Sequence, residues 1–407
     1  MTGVLVTPVT RRRPGLVVII AFVVTLAGRF TLSRLGLHLP LLLDDIRVPL
    51  FAVLLMSFAL ELSQAGSRSA GTGTRSLLAI LLLLGYQILS ATWAPKNAVI
   101  GPTLLDLVAV AVLVFVYVTL AEWDRDRVVA RTLGCFQAAA WVYFMMAAAG
   151  LGRGAYGRWA VPGGGPNVFV RMMVLGMFTS IYFYLRGRRR ILWLLGVPAF
   201  LTGALASGSR GGLVALLITA VVAMPTALRR LRSRGGGSSR PVLATVALLG
   251  LTWLAAGDSI GNFVRQRFVT ETFQQGYTSG RSELFKYALN LFLQRPFLGT
   301  GVNGFNAVAN LGYYERYVHN LPLAIAAEGG IVGLFLLINA FVQLRHEFGQ
   351  VPRADRSLEA RAAGYCGVFV GSASLFSGDY YDARLMWILL VLAAVRPAAT
   401  ERDASPK

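Results

Sequence analysis

The stretch ALASGSRGGLVALL, residues 204–217, decides how this chain is read. Two long apolar runs close on a polar pinch, Ser207 to Gly211, and the pinch holds a permanent cation, Arg210. A chain that needed only a turn between two apolar segments has little use for a guanidinium there. The pinch therefore raises two questions: what the apolar runs are for, and what Arg210 holds.

Composition answers the first. The 407 residues are 55% hydrophobic and only 14% charged, with mean hydropathy +0.60, whereas soluble domains carry about 25% charged residues. The chain reads as an integral membrane protein. Its net charge of +20 could point to nucleic acid, but the cations lie in the gaps between apolar runs. The two cysteines, Cys135 and Cys366, both fall inside apolar runs and read as small buried hydrophobes, with no disulfide and no zinc site implied. RRRPGLVVIIAFVVTLAG, residues 11–28, has the basic-then-apolar order of a signal peptide. It lacks a small-x-small cleavage site before Arg29 and Phe30, so it reads as a first, retained membrane helix.

A span needs roughly 20 mostly apolar residues. On that rule candidate spans centre near residues 23, 55, 85, 112, 140, 177, 199, 220, 250, 332, 370 and 390. The predicted fold is all-α: a polytopic membrane protein of about twelve transmembrane helices. Loops rich in Lys and Arg stay on the cytoplasmic side. With both termini inside, the inner segments collect Arg11 to Arg13, Arg68 and Arg75, Arg125 to Arg131, the RGRRR at 186–190, Arg229 to Arg240, Arg345 to Arg361, and the basic C-terminal tail. The expected organisation is residues 1–151 as N-terminal membrane helices, 152–345 as the catalytic region with one long extracytoplasmic loop at 258–318, and 346–407 as C-terminal helices and cytoplasmic tail.

This topology puts every chemically suggestive polar stretch on the outer face. In the long loop, SGRSELFKYALNLFLQRP (279–296) repeats Leu284, Phe285, Ala288, Leu289, Leu291 and Phe292 at helical spacing, with Ser279 or Ser282 to cap it and Pro296 to stop it. It predicts an amphipathic helix at the membrane surface. Arg281 sits at its N-terminal end, where free N–H groups already favour an anion; taken alone it reads equally as a solvated loop arginine. Gly299, Gly301 and Gly304 spell GxGxxG, but with no room for a βαβ unit they are expected to shape a tight re-entry of chain toward the membrane.

In RYVHNLPLAIAAEGGIVG (316–333), His319 and Asn320 stand where the loop meets the next span. Imidazole suits proton transfer at neutral pH, although a lone interfacial histidine is more often bonded to backbone. Glu328, deep in the same span, needs a partner or a function, and Gly329 with Gly333 lets another helix approach closely. In YGRWAVPGGGPNVFVRMM (156–173), Arg158 lies in the outer loop, Asn167 opens a helix as a cap or a ligand group, and Arg171 follows one turn inside. Arg171 needs a partner, with Glu328 or an anionic ligand as candidates. Four arginines, Arg158, Arg171, Arg210 and Arg281, thus stand near the outer face beside chain turns, with Ser209 next to one of them. Guanidinium forks bind phosphate oxygens bidentately; together they predict a diphosphate site. Asp379 and Asp382 could bind a metal but beside a basic site more often pair with arginine or water, and no cofactor is implied.

The set SGSRGG (207–212), GRSELFKYALNLFLQRPFLGTGVNGF (280–305) and HNLPLAIAAEGGIVGLFLL (319–337), with GRWAVPGGGPNVFV (157–170) before it, resembles the O-antigen ligase and O-antigen polymerase superfamily of bacterial membrane glycosyltransferases. The resemblance implies metal-independent transfer of a glycan from a polyprenyl-diphosphate carrier to an acceptor hydroxyl on a glycan, lipid or protein, at the outer face of the cytoplasmic membrane. It further implies that Arg210 and Arg281 grip the diphosphate, assisted by Arg158; the residues themselves add Arg171 and Ser209 to the diphosphate-binding set. His319 is then the base or an acceptor-binding group, and Asn167, Asn320 and Glu328 support the site. Ligase and polymerase branches stay open. A flippase for lipid-linked sugars, which also needs a basic cavity, is the competing class, though no internal repeat of the transporter kind is visible. A scaffold role leaves the outer arginines without a reason.

Overall fold

The structure is a computed structural model that describes residues 15–28, 45–63, 74–187 apart from 153, 155–156 and 162–163, then 191–233, 261, 265, 281–309, 317–380 and 383–396. Among these the regular elements are helical: α1 (Gly15–Ala27), α2 (Arg47–Ser63), α3 (Thr74–Leu89), α4 (Ile100–Ala148), α5 (Gly165–Arg186), α6 (Gly196–Ala206), α7 (Arg210–Ser233), α8 (Arg281–Gln294), α9 (Gly304–Ala309), α10 (Leu321–Gly349), α11 (Leu358–Ser374) and α12 (Arg384–Ala394). Four segments are long and apolar enough to cross a membrane: Arg75–Trp93, Ile100–Ala148, Gly165–Arg186 and Leu321–Gly349. Four more, Gly15–Ala27, Leu192–Ala206, Arg210–Thr226 and Arg384–Ala394, are apolar but shorter. An all-helical, polytopic membrane architecture follows. The span expected near residue 250 and most of the loop 258–318 lie outside the described residues.

The spans expected near 112 and 140 form one helical run, α4, broken at Asp124 (φ −159°, ψ 77°). A straight helix of 49 residues would reach ~73 Å, more than twice the hydrocarbon thickness. The break lets the two halves fold back, and Tyr117 comes to lie beside Thr132 and Cys135, positions that a straight helix would hold over ~20 Å apart. Asp124 caps the second half, its carboxylate accepting from the Arg127 N–H at 3.2 Å.

Hydrogen bonds sort the helix ends into two layers. At one end Arg125 donates to the Ser357 hydroxyl and the Val395 carbonyl, Arg186 pairs with Glu359 at 3.3 Å, and Ser76 donates to Glu347. The starts of α3 and α11, the break of α4 and the ends of α5, α10 and α12 meet there. At the opposite end gather the starts of α5, α7 and α10 and the turns after α6 and α11. Arginine-rich turns and the predicted site thus occupy opposite faces of the bundle.

Between the layers, apolar packing is supplemented by buried polar pairs. Gln137 on α4 accepts from Thr179 on α5 at 2.5 Å and donates to Ser180 at 3.0 Å. Such interhelical bonds contribute on average about 0.6 kcal/mol each in membranes. Arg47, at the start of α2, is buried and pairs with both Asp45 and Asp106, which ties α2 to the second turn of α4.

Candidate active site

The pinch that opened the sequence reading is a turn stitched by its own hydroxyls. Ser207 Oγ donates to the Ala204 carbonyl at 2.6 Å and accepts from the Ser209 N–H at 3.2 Å. Gly208, with φ at +59°, takes the left-handed conformation that lets α7 begin immediately at Arg210. The glycines after Arg210 bring that helix start against its neighbours. A Cβ on Gly211 would lie 2.5 Å from Phe376, and one on Gly212 would lie 2.4 Å from Val170. Arg210 is therefore held between α5 and the turn linking α11 to α12.

The predicted partners converge on this turn. Arg158 Nε donates to the Ser207 carbonyl at 2.8 Å. Ser209 Oγ donates to Asn167 Oδ1 at 2.8 Å. The cap position of α5 is Gly164, with no side-chain cap bond, so Asn167 does not cap its helix; it fastens α5 to the α6–α7 turn. Arg171, one turn deeper on α5, is 8% exposed. Arg281 opens α8, whose buried face is Leu284, Ala288 and Leu291. Leu289, expected on that face, is 47% exposed, because its register carries it to the outer side of the helix.

His319 stands at the centre. Its backbone is left-handed, φ +61°, a conformation uncommon for a residue with a Cβ and enriched at functional sites. Burial first, then the charges of Arg281 and Arg171, push its imidazole down from 6.5 to about 4. Those causes place His319 within electrostatic reach of both arginines. Burial also lowers Arg281, with Tyr317 and Arg210 as the next neighbours felt. Arg210, Arg281, Arg171 and His319 therefore form one basic constellation from four separate stretches of chain, with the α11–α12 turn backing Arg210. Asn320 caps α10, accepting from the Leu323 N–H at 2.9 Å and donating to the Leu375 carbonyl at 3.0 Å. It fixes the chain direction just after His319.

Glu328 is not the partner of Arg171. Its carboxyl oxygens accept from the backbone N–H groups of Asn303 at 2.9 Å and Phe305 at 3.0 Å, and from the Tyr380 hydroxyl. The glycine segment 299–304 does re-enter the bundle, as expected, and Glu328 is what receives it. α10 opens at Gly330 (φ 61°, ψ −158°), a backbone region essentially closed to residues with a Cβ. The Ile331 N–H bonds the Pro296 carbonyl, and the Thr300 and Gly301 N–H groups bond the Ala327 and Glu328 carbonyls. The Gly329 and Gly333 step admits α3 as expected, with Gln87 the neighbour that an added Cβ would meet.

The structure adds Tyr317, Ser377 and Tyr380 to the residues singled out from the sequence. The Tyr317 ring packs on the His319 ring with centroids 3.8 Å apart, and its hydroxyl lies 3.4 Å from Ser377 Oγ. Tyr380 and Asp379 are buried in the same α11–α12 turn; Asp379 accepts from the Tyr380 N–H at 2.7 Å, while Asp382 lies outside the described residues. An aromatic two residues before a histidine carries no distinctive sequence signal, and the turn contacts depend on α11 returning to the site.

This geometry lies in a chain that is similar to known proteins. The family model described as O-antigen ligase matches residues 194–338, a stretch that contains Arg210, Arg281, His319 and Glu328. The O-antigen ligase of Pseudomonas aeruginosa is 26% identical over 338 residues, covering 79% of this chain and 77% of its own length. Both similarities point to the O-antigen ligase superfamily. The similarity and the apolar helices together fit a glycan-transferring membrane protein of cell-surface polysaccharide assembly. Arg158, Asn167, Arg171, Ser377 and Tyr380 fall outside the matched stretch, so their place in the site rests on the geometry alone.

Proposed function

We propose that this protein is a member of the O-antigen ligase superfamily and transfers a glycan from a polyprenyl-diphosphate carrier to an acceptor hydroxyl at the outer face of the cytoplasmic membrane, with no metal taking part. The observation that carries the reading is the basic constellation itself: His319 within electrostatic reach of Arg171 and Arg281, and Arg281 in turn beside Arg210. Side-chain guanidinium groups around one histidine suit a doubly charged phosphate ester and a proton transfer next to it.

The proposed chemistry is a single displacement. The acceptor hydroxyl gives its proton to His319 as its oxygen bonds to the anomeric carbon, and the bond from that carbon to the diphosphate oxygen breaks. The polyprenyl diphosphate leaves with the electron pair. Arg210 and Arg281 meet the charge that develops on it, which is the kind of fixed electrostatic stabilisation that contributes most to many enzymes. Arg158 and Arg171 add to the field; Ser209 and Asn167 set the turn that carries Arg210. With its imidazole depressed to about 4, His319 is neutral at pH 7 and its lone pair is free. The same arginines that depress it are neutralised when the diphosphate arrives, so its basicity rises as the donor binds.

The arginine-rich turns on the far face of the bundle support termini in the cytoplasm and a site outside. Both comparisons carry the word ligase, which favours transfer to a finished acceptor over repeat-unit polymerisation. The test gives the purified protein in lipid nanodiscs a polyprenyl-diphosphate oligosaccharide and candidate acceptors in the presence of a chelator. Wild type releases polyprenyl diphosphate and forms a glycoside, while Arg210→Ala, Arg281→Ala and His319→Ala do not. Normal turnover in all three variants sinks the mechanism, movement of donor across the bilayer without a new glycosidic bond assigns a transporter, and a product still on lipid diphosphate assigns the polymerase branch. A cysteine placed at Ser279 is labelled by an impermeant thiol reagent from outside.

A further inference from the structure

A histidine base is ordinarily oriented by a hydrogen bond at the ring nitrogen that does not react, from a carbonyl or carboxylate that fixes tautomer and plane. His319 lacks that device: its Nδ1 is buried and has no hydrogen-bond partner among the described residues. What touches the ring is Tyr317, at a centroid distance of 3.8 Å and an interplanar angle of 44°. The phenol end of Tyr317 lies 3.4 Å from Ser377 Oγ, in the α11–α12 turn, and within electrostatic reach of Arg281. That turn is anchored independently, through the Tyr380 hydroxyl on Glu328 and the Asn320 amide on Leu375.

We propose that Tyr317 is a positioning residue for His319, its ring tethered by Ser377 so that it fixes the imidazole plane and keeps water from one face. The inference rests on the reading of His319 as the base. Because its backbone is left-handed and Asn320 caps the next helix, the Cα of His319 is fixed; the remaining freedom is rotation of the ring, and the Tyr317 face limits it. The ring contact does the positioning and the Ser377 bond, which is long, assists it.

The test separates ring contact from hydroxyl and from overall folding. In the full chain in detergent, without substrate, the titration of His319 is followed by deuterium exchange at its imidazole C2, read by mass spectrometry. The charged groups it feels are Arg281 and Arg171, and neither is altered. Tyr317→Ala admits water to the ring, so the midpoint rises from about 4 toward 6.5; Tyr317→Phe leaves it near the wild-type value. With lipid-linked donor and acceptor, Tyr317→Ala lowers kcat roughly 10- to 100-fold, the scale of a misplaced catalytic group, with the donor KM little changed. Tyr317→Phe and Ser377→Ala lose no more than about tenfold, the scale of one modest hydrogen bond. An unmoved midpoint in Tyr317→Ala overturns the proposal, and so does a moved midpoint with unchanged kcat. The titration is read without turnover, so it stands or falls separately from the glycan-transfer reading.

Discussion

Glu328→Ala tests how the site is assembled, because one side chain receives the whole glycine segment. Its two oxygens accept from the N–H groups of Asn303 and Phe305 and from the Tyr380 hydroxyl, and all three donors belong to residues no more than 9% exposed. A buried donor left without an acceptor costs about 1–3 kcal/mol. The two backbone donors alone therefore put the loss at ~2–6 kcal/mol, a large share of the 5–15 kcal/mol that holds a typical domain together. The loss is local, so the segment opens before the bundle does. Since 1.4 kcal/mol is a factor of ten, a loss of ~3 kcal/mol speeds amide exchange across residues 297–305 by about 10²-fold. Hydrogen–deuterium exchange on the full chain in detergent reads this, with peptides from α5 as the internal reference. Glu328→Gln keeps one acceptor oxygen and falls between wild type and Ala. Exchange in Glu328→Ala within twofold of wild type would refute the reasoning and return Glu328 to the candidate ligand groups.

Three further outcomes follow from the same geometry. Gly330→Ala puts a Cβ 2.3 Å from the Phe297 carbonyl oxygen at φ +61°, so the 296–304 segment loses its seat; transfer activity falls at least as far as in Glu328→Ala, and a fully active Gly330→Ala contradicts the packing. Unfolded His319 takes up a proton near pH 6.5 whereas the folded residue does so only near 4, so the folded state binds fewer protons between them. Stability therefore falls as pH drops from about 6.5 to 4, by up to ~3 kcal/mol, and His319→Gln lacks this part of the slope in thermal unfolding measured against pH. Arg210→Lys keeps the charge but not the planar fork; its donor KM lies between those of wild type and Arg210→Ala, and a value equal to wild type shows that only charge matters there.

The sequence exposed the charges of this site better than its scaffold. Arg210 and His319 were legible because a cation or an imidazole in a short turn at a membrane face invites a reason, and Arg171 because a guanidinium inside a span is costly. The amphipathic α8 was legible from periodicity, although Leu289 shows that periodicity alone does not say which residue of a broad apolar stripe turns outward. Glu328 was legible as a buried acid but not as a staple, since its partners are backbone N–H groups about 25 residues earlier, which have no sequence signature. Asn167 read equally as cap or ligand, and only the approach of Ser209 from the next helix pair decides that it is neither a cap nor free of protein contacts. The α4 break at Asp124 was visible as a polar gap between two spans; its continuity as one helical run was not.

The diphosphate clamp is the central claim, and binding tests it most directly. A short-chain polyprenyl diphosphate and the matching monophosphate are titrated into wild type, Arg210→Ala, Arg281→Ala and the double variant, with chelator present and no acceptor. The account predicts that wild type prefers the diphosphate by at least about tenfold, that each single variant loses most of that preference, and that the double variant binds the two ligands alike, each charge-assisted contact contributing ~1.5–3 kcal/mol. An undiminished preference for the diphosphate in the double variant would contradict the account.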